Sequence, residues 1–572
     1  MAAWKPPQLI TLDDINDRGA LSRTHQPAFR TLVQDVAAAE RVTLVIGAGF
    51  SRDAGLPSWP SLIDGLIDEL DFTHGIDLSA MTREDPDDPM RKAEHVIEMR
   101  RSAKRLGTTE ELVRRALYSG SAQHVPGPLL RSAAELVKAL GSRVTVLTTN
   151  YDELLEKALA EAGVKTSVFL LNSHEDWPRL QETERQHGRV PIFHLHGRVR
   201  RMDSEKRDFV VLSESHFLRH GPSVRKIVVE ALTNSVTMFL GLSMTDPNLV
   251  GPLWDTRDTR NPSYVVTVPE RVMPFTIQDS RLYALAKSEY LHSKLRVAPI
   301  YLKTYGQIEQ LLTEVALASL DLDTYELPRT DPRAAAYGAR LHRVLKYVYA
   351  KAGAPADAPF CPPVGDSSED LRRRITSFIA PDSELGAVLT SLNRDRGVKR
   401  RLHELEVELK SAEREPEDFG LQLWLRTGES EEAGAEYLVQ LVGSSDLTLH
   451  GELARKSQRW PIENDSENMA ARAIARSRVE IWKALPEISM AGMWQGMVAS
   501  PIRITQLVST RQGDQRVRMT IGSLCLLTTH AIKVEREALQ PHQKLSMLSV
   551  LTGEQRIALS AALHTAAIKL LK

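Results

Sequence analysis

Short runs of apolar, often β-branched residues recur through the first half of the chain, at positions 42–46, 144–147, 190–195, 209–212, 236–240 and 264–268. Most are separated by stretches with helical spacing of apolar residues, such as SLIDGLIDEL, DELLEKALAEAG and SVRKIVVEALTNS. Strands apolar on both faces and alternating with helices predict a parallel sheet covered on two sides, a doubly wound, Rossmann-like α/β domain. QPAFRTLVQDVAAAE predicts a helix that covers one face, and VAPIYLKTYGQIEQLLTEVALASL predicts the closing strand and helix.

Beyond about residue 330 the pattern changes. RAAAYGARLHRVLKYVYAKAG predicts a helix, APADAPFCPPVGDSS reads as a proline-rich linker, and RDRGVKRRLHELEVELKSAERE predicts a charged helix. FGLQLWLRT, AEYLVQLVG, PIRITQLVS and RMTIGSLCLLT then predict strands around one helix, SENMAARAIARSRVEIWKAL. The expected organisation is a leader and helix over 1–40, an α/β domain over 41–325, a helix and linker over 326–366, and a separate mixed α+β domain over 367–572. There is no internal repeat and no low-complexity tract.

Charge adds little to this picture. The chain has 73 basic and 74 acidic side chains, so no global field draws it to nucleic acid or to an anionic membrane, and any such partner must meet a local patch. No apolar run reaches the roughly 18 residues that cross a bilayer, and MAAWKPPQLITLDD lacks the apolar core of a secretion signal, so a cytoplasmic protein is expected. The only cysteines, Cys361 and Cys525, exclude a disulfide framework and a four-cysteine zinc site.

Four segments carry candidate chemistry. The first predicted strand empties into Gly47-Ala48-Gly49-Phe50-Ser51, where glycines let the backbone approach a ligand and a following helix offers N–H groups to phosphate. It is not a nucleoside-triphosphate loop, which needs a lysine, nor the dehydrogenase fingerprint, which needs glycine where Arg52 stands. A plain structural turn is the alternative. Thr149, Asn150 and Asp152 follow the second strand, at the edge where open α/β sheets bind ligands, although either Asn150 or Asp152 could simply cap the next helix. His194 and His196 alternate along the strand VPIFHLHGRV and so share a face. His196, beside Gly197, could be a general base or a hydrogen-bonded histidine of the sheet edge, and a metal pair would need a third ligand that is not evident nearby. The last segment, Gly241, Ser243 and Asp246, repeats the small-residue design after another buried strand and reads as a second nucleotide loop or as a turn.

In this order the four segments resemble the sirtuin superfamily. Gly47-Ala48-Gly49 with Ser51 matches its Gly-Ala-Gly-x-Ser loop, Thr149-Asn150-Tyr151-Asp152 its Gln-Asn-Ile-Asp motif, His196-Gly197 its His-Gly pair, and Gly241-Leu242-Ser243 its Gly-Thr-Ser loop. The resemblance spans roughly residues 40–325. It implies that Gly47, Ala48, Gly49, Phe50, Ser51, Thr149, Gly241, Ser243 and Asp246 hold NAD+, with Trp59 beside the nicotinamide. It further implies that Asn150 orients the ribose and the attacking water, that Asp152 supports the pocket, and that His196 is the base. The two close cysteine pairs of the family's zinc module are missing, and its Pro-Asp-Phe-Arg run is here Pro57-Ser58-Trp59-Pro60. The chain therefore looks more like the zinc-free branch found in bacterial antiviral systems.

The function implied is hydrolysis of NAD+ to nicotinamide and ADP-ribose, without zinc, as a regulated effector that depletes NAD+ during defence against phage or plasmids. Transfer of ADP-ribose or an acyl group to a macromolecule, or non-catalytic nucleotide sensing, are the alternatives. The layout is similar to sirtuin-like proteins that pair with a short Argonaute and act when guide and target nucleic acid are bound. Arg511, Arg516, Arg518, Lys533 and Arg536 give the second domain a basic lean that could meet phosphates or simply face solvent. The helix in ENMAARAIARSRVEIWKAL could support a homo-oligomer or serve as core.

Overall fold

Val42, Leu44 and Ile46 enter one apolar core and Val45 another, so β1 (Val42–Ile46) is buried on both faces. The computed structural model describes residues 4–9, 26–74, 89–103, 108–118, 124–171, 176–201, 209–268, 277–322, 336–353, 366–408, 416–427, 437–443, 460–463, 466, 468–483, 494–510, 513–532 and 544–571. Around β1 run β2 (Val144–Thr148), β3 (Thr166–Phe169), β4 (Val190–His194), β7 (Val236–Leu240), β8 (Ser263–Thr267) and β9 (Ala298–Tyr301), in the order β3-β4-β2-β1-β7-β8-β9. Every pairing among them is parallel. The expected doubly wound sheet is present, and its strand order reverses between β1 and β7. The carboxyl ends of those two strands are where an open α/β sheet leaves a crevice.

Helices Pro27–Ala38, Pro128–Leu140 and Gly306–Leu320 cover one face of the sheet. Glu214–Asn234 and Pro247–Asp255 contribute to the apolar core on the other. Residue 209 does not begin a strand of this sheet. Phe209–Val210 (β6) instead pairs antiparallel with Gly197–Arg198 (β5) in a small separate ribbon beyond the end of β4.

The second half builds its own six-stranded sheet, in the order β12-β11-β10-β15-β14-β13, antiparallel throughout. Its strands are β10 (Phe419–Arg426), β11 (Tyr437–Gly443), β12 (Trp460–Pro461), β13 (Glu480–Lys483), β14 (Gly496–Thr510) and β15 (Gly513–Thr528). The helix expected over the segment from 466 to 485 is shorter than its apolar spacing indicates: it runs Met469–Ala475, and Glu480–Lys483 is an edge strand. Ser477, at φ 55°, turns the chain between them, and the alternating Arg478-Val479-Glu480-Ile481 that follows suits a strand.

The helix Ala336–Lys351 sends Leu341, Leu345, Val348 and Tyr349 into the core under this second sheet, which Leu317 of helix Gly306–Leu320 also joins. The two sheets are therefore docked through that helix. A Cβ on Gly306 would stand 2.8 Å from the Ile474 carbonyl oxygen, and Gln515 Nε2 of β15 donates to the Glu135 carbonyl at 3.4 Å. Most of the expected proline-rich linker lies outside the described residues, as does Cys361; Cys525 is buried within the second sheet, its thiol pushed up to about 12 by burial.

Candidate active site

The loop after β1 leaves the sheet through two 3-10 turns, Ala48–Phe50 and Arg52–Ala54, and the α-helix begins only at Trp59. The expected helix immediately behind the glycines is thus replaced by tighter turns. The glycines answer first to another loop: Gly49 N donates to Gly241 O at 3.0 Å and Gly47 N to Leu240 O at 2.9 Å. A Cβ on Gly47 would meet Leu242 Cδ2 at 2.4 Å, and one on Gly49 would meet Gly241 O at 2.9 Å. Gly241 itself sits at φ 66°, where a Cβ would stand 2.7 Å from Phe50 Cδ2. The loops after β1 and β7 interlock through their backbones, with the Leu242 side chain packed on Gly47 and the Phe50 side chain on Gly241.

Asn150, at the end of β2, is held at three points. Its N–H donates to Thr148 Oγ1 at 3.1 Å, its carbonyl oxygen faces His194 Nδ1 at 3.0 Å, and its Nδ2 donates to Ser51 Oγ at 3.0 Å. Its remaining polar atom, Oδ1, is buried without a partner among the described residues. Thr149 N bonds Ile46 O at 3.1 Å, which ties this loop to β1.

Asp152 is buried beside them. Its Oδ1 accepts from Leu154 N at 2.9 Å and so secures the start of helix Leu154–Glu161. It also takes a hydrogen bond from Ser51, whose hydroxyl stands between Asn150 and Asp152. Burial pushes the Asp152 carboxyl above its ordinary value, and the two hydrogen bonds only partly offset that.

The two histidines diverge. The strand ends at His194, so the alternation that would put His194 and His196 on one face stops there, and Gly197, at φ 89°, turns the chain away. His194 Nε2 reaches Glu156 Oε1 at 3.0 Å, whereas His196 Nε2 stands 2.9 Å from Asp246 Oδ2, close but not aligned as a hydrogen bond. Asp246 also caps helix Pro247–Asp255 by accepting from Asn248 N at 2.8 Å. Ser243 lies exposed at the rim, bonded to Thr245.

Aromatic side chains border the histidine. Phe217, from helix Glu214–Asn234, packs edge-on against His196 at 5.0 Å, and Trp59 stands 6.5 Å from Phe217 and 6.2 Å from Tyr151. Tyr151 donates its hydroxyl to Val211 O at 2.6 Å. Phe217 was not legible as a site residue, because it stands in the first turn of its helix, where nothing in the sequence marks which apolar side chain faces the candidate site. His124 was equally silent; its Nδ1 lies 3.0 Å from Ala54 O and braces the first loop. The circuit closes: Ser51 meets Asn150, His194 links Asn150 to the β4 end, His196 meets Asp246, and Gly241 returns to Gly49.

Residues 144–292 match the family model described as SIR2-like domain. Over those residues the chain is similar to that family. That match includes Asn150, Asp152, His196, Gly241, Ser243 and Asp246, while the loop from Gly47 to Trp59 lies ahead of it. The chain is also similar to NAD(+) hydrolase ThsA of Acinetobacter baumannii (strain 532279), with 29% identity over 207 residues. The matched stretch is 36% of this chain and 36% of that protein, so the chain spans about a third of its relative's length. Among solved structures, a Sir2 homologue complexed with NAD has 16% identity over 51% of this chain and 94% of its own, with a TM-score of 0.25. A Sir2 homologue complexed with ADP-ribose has 16% identity over 52% of this chain and 99% of its own, with a TM-score of 0.26.

Of the basic side chains noted in the second domain, Arg516 is exposed, and Arg518 is half-buried beside Glu135 and Glu309 of the first half. Arg511, Lys533 and Arg536 lie outside the described residues. Among the described residues no helix is long and apolar enough to cross a membrane, and no group of three or more His, Cys, Asp or Glu side chains is arranged to hold a metal ion.

Proposed function

We propose that this chain hydrolyses NAD+ at the bond between nicotinamide and ribose, releasing nicotinamide and ADP-ribose. The observation that carries the reading is the unpartnered, buried Oδ1 of Asn150, whose Nδ2 donates to Ser51 at the rim that the Gly47–Ser51 and Gly241–Asp246 loops share with His196. A buried acceptor left open costs about 1–3 kcal/mol unless a bound molecule supplies a donor. A ribose hydroxyl or a water poised on the sugar is such a donor.

The chemistry asks little more of the protein. The nicotinamide nitrogen leaves with the electron pair of its bond to the ribose, positive charge develops on the sugar, and a water oxygen bonds to the vacated carbon. The water's proton passes to a base, the role we assign to His196 with Asp246 behind it. NAD+ and water are consumed, and nicotinamide, ADP-ribose and a proton are formed. Orientation by Asn150, with Asp152 supporting it through Ser51, and a pocket walled by Trp59 and Phe217 supply the positioning and water control this reaction needs. The ThsA relative, named as an NAD(+) hydrolase, supports the same reading.

The second domain is the proposed regulator, because unrestrained NAD+ depletion would poison the cell that makes the protein. In that reading the chain is a cytoplasmic defence effector whose second domain docks a partner. The candidate partner is a short Argonaute with guide and target nucleic acid, and activation can include homo-oligomer formation. The test is to incubate the purified full chain with NAD+, alone and with the loaded Argonaute, and to resolve the products chromatographically. Equal release of nicotinamide and ADP-ribose is the expected result. ADP-ribose attached to protein would replace hydrolysis by transfer, and dinucleotide bound but unchanged in every condition would replace it by sensing.

A further inference from the structure

His194 is fully buried, and both of its ring nitrogens are engaged. Nδ1 lies 3.0 Å from the carbonyl oxygen of Asn150, which only accepts, so this nitrogen carries a hydrogen and donates. Nε2 lies 3.0 Å from Glu156 Oε1, on the helix that follows Asn150. Glu156 is in turn held by Arg198 Nε at 3.2 Å, and Arg198 Nη2 donates to Glu153 Oε1 at 2.7 Å. Burial pushes the Glu156 carboxyl up, and His194 and Arg198 more than reverse this, so it rests below its ordinary value as a carboxylate.

The place of this network matters. A leucine or phenylalanine at the end of β4 would fill the same volume with no polar group to desolvate, yet the Asn150 carbonyl would then lack its donor. The Asn150 N–H and Nδ2 are already committed to Thr148 and Ser51, so the carbonyl is the remaining main-chain point at which the residue can rotate. Resting on the reading of Asn150 as the group that orients ribose and water, we propose that His194 is a positioning residue: clamped by Glu156, its ring fixes the Asn150 main chain and thereby aims the Asn150 amide at the substrate.

Two replacements separate the two ends of the ring. His194→Asn places an amide near the position of Nδ1 and can keep the contact with Asn150, whereas His194→Gln reaches towards Glu156 and gives up Asn150. Activity is measured as nicotinamide release, and the side-chain amide of Asn150 is followed by nuclear magnetic resonance on full-length protein with isotope-labelled asparagine, assigned by its loss in Asn150→Ala. His194→Gln should lower kcat about a hundredfold with KM little changed, the scale expected of a misplacement of about 1 Å, and should shift the Asn150 amide signal. His194→Asn should retain most of kcat and the native signal. Equal losses in both variants, a loss confined to KM, or full activity in His194→Gln would overturn the proposal. If His194→Gln does not fold, Glu156→Gln takes its place, with an expected kcat loss of about tenfold at constant KM; an unchanged kcat there overturns it. If the wild-type protein releases no nicotinamide, the hydrolase reading fails separately. The amide signal still decides the positioning role, because an unmoved Asn150 signal in His194→Gln overturns it and a shifted one supports it.

Discussion

His196 and Asp246, fifty residues apart in the chain, meet with Nε2 and Oδ2 2.9 Å apart, while Asp246 Oδ1 caps a helix. One carboxylate thus faces the proposed base and anchors the second glycine loop. Asp246→Asn separates these tasks, since asparagine caps helices about as well as aspartate. Its melting temperature should stay close to that of the wild type, while nicotinamide release falls by about a hundredfold, the lower end of the range for general-base catalysis. Asp246→Ala should also lose about 1 kcal/mol of stability with the cap. Undiminished turnover by Asp246→Asn would leave Asp246 with a structural task alone.

Asn150→Asp conserves volume but exchanges the donor that meets Ser51 Oγ for an oxygen, and sets a second carboxyl beside the buried Asp152. Removing one preorganised polar group costs about 10²–10³ in kcat. A loss of that size is expected for Asn150→Asp and for Asn150→Ala, with both proteins folded by circular dichroism. His196→Ala should likewise fold and fail to cleave NAD+. A variant that turns over at the wild-type rate loses its residue's proposed role.

What the sequence revealed was the part of the design that is local. Continuous apolar runs announced β1, β2, β4 and β7, because strands buried on both faces have no polar face to interrupt them. β3 escaped notice: Thr166–Phe169 is an edge strand with every residue half-buried, and its four residues are too few to show a period. The glycine loops were legible as loops, but the reason for Gly47 and Gly49 was not, since it lies in the backbone of Gly241 some two hundred residues on. His194 could be read only as one of two histidines on a strand, because its partner Glu156 comes from a helix whose placement depends on the whole sheet.

The interlocked loops give a prediction about Gly241. It shares a left-handed backbone with Gly163, at φ 66° and 79°, but only Gly241 is also crowded, by Phe50. Gly163→Ala should cost about 1–2 kcal/mol, the ordinary penalty for an L-residue in that conformation, and leave ADP-ribose binding unchanged. Gly241→Ala should cost more and weaken ADP-ribose binding measured by calorimetry, because Phe50 and the first loop must move to admit the methyl group. Equal behaviour of the two variants would mean that the loop contact contributes nothing beyond backbone strain.

Glu309, on helix Gly306–Leu320, is buried where the two halves of the chain meet. It takes a hydrogen bond from Ser477 Oγ, and Arg503 Nη2 donates to Ser477 O at 2.7 Å. Burial raises its carboxyl, and Arg503, Arg518 and Arg426 of the second domain offset this only in part, so its value in the folded protein stays above 4.5. For a carboxyl with a raised folded value, the unfolded chain gives up its proton first as pH climbs. Its contribution to stability is therefore complete below about pH 4.5 and declines as pH rises through the folded value. Glu309→Gln keeps an acceptor for Ser477 but cannot titrate. The stability of Glu309→Gln relative to the wild type should thus increase as pH rises from about 4.5 through the folded value, measured by denaturant unfolding of the full chain. Glu135 and Asp152, also raised by burial, are present in both proteins and cancel in the difference. A difference that stays flat across this range would show that Glu309 has the same value folded and unfolded, and that the arginines neutralise the whole cost of burying it.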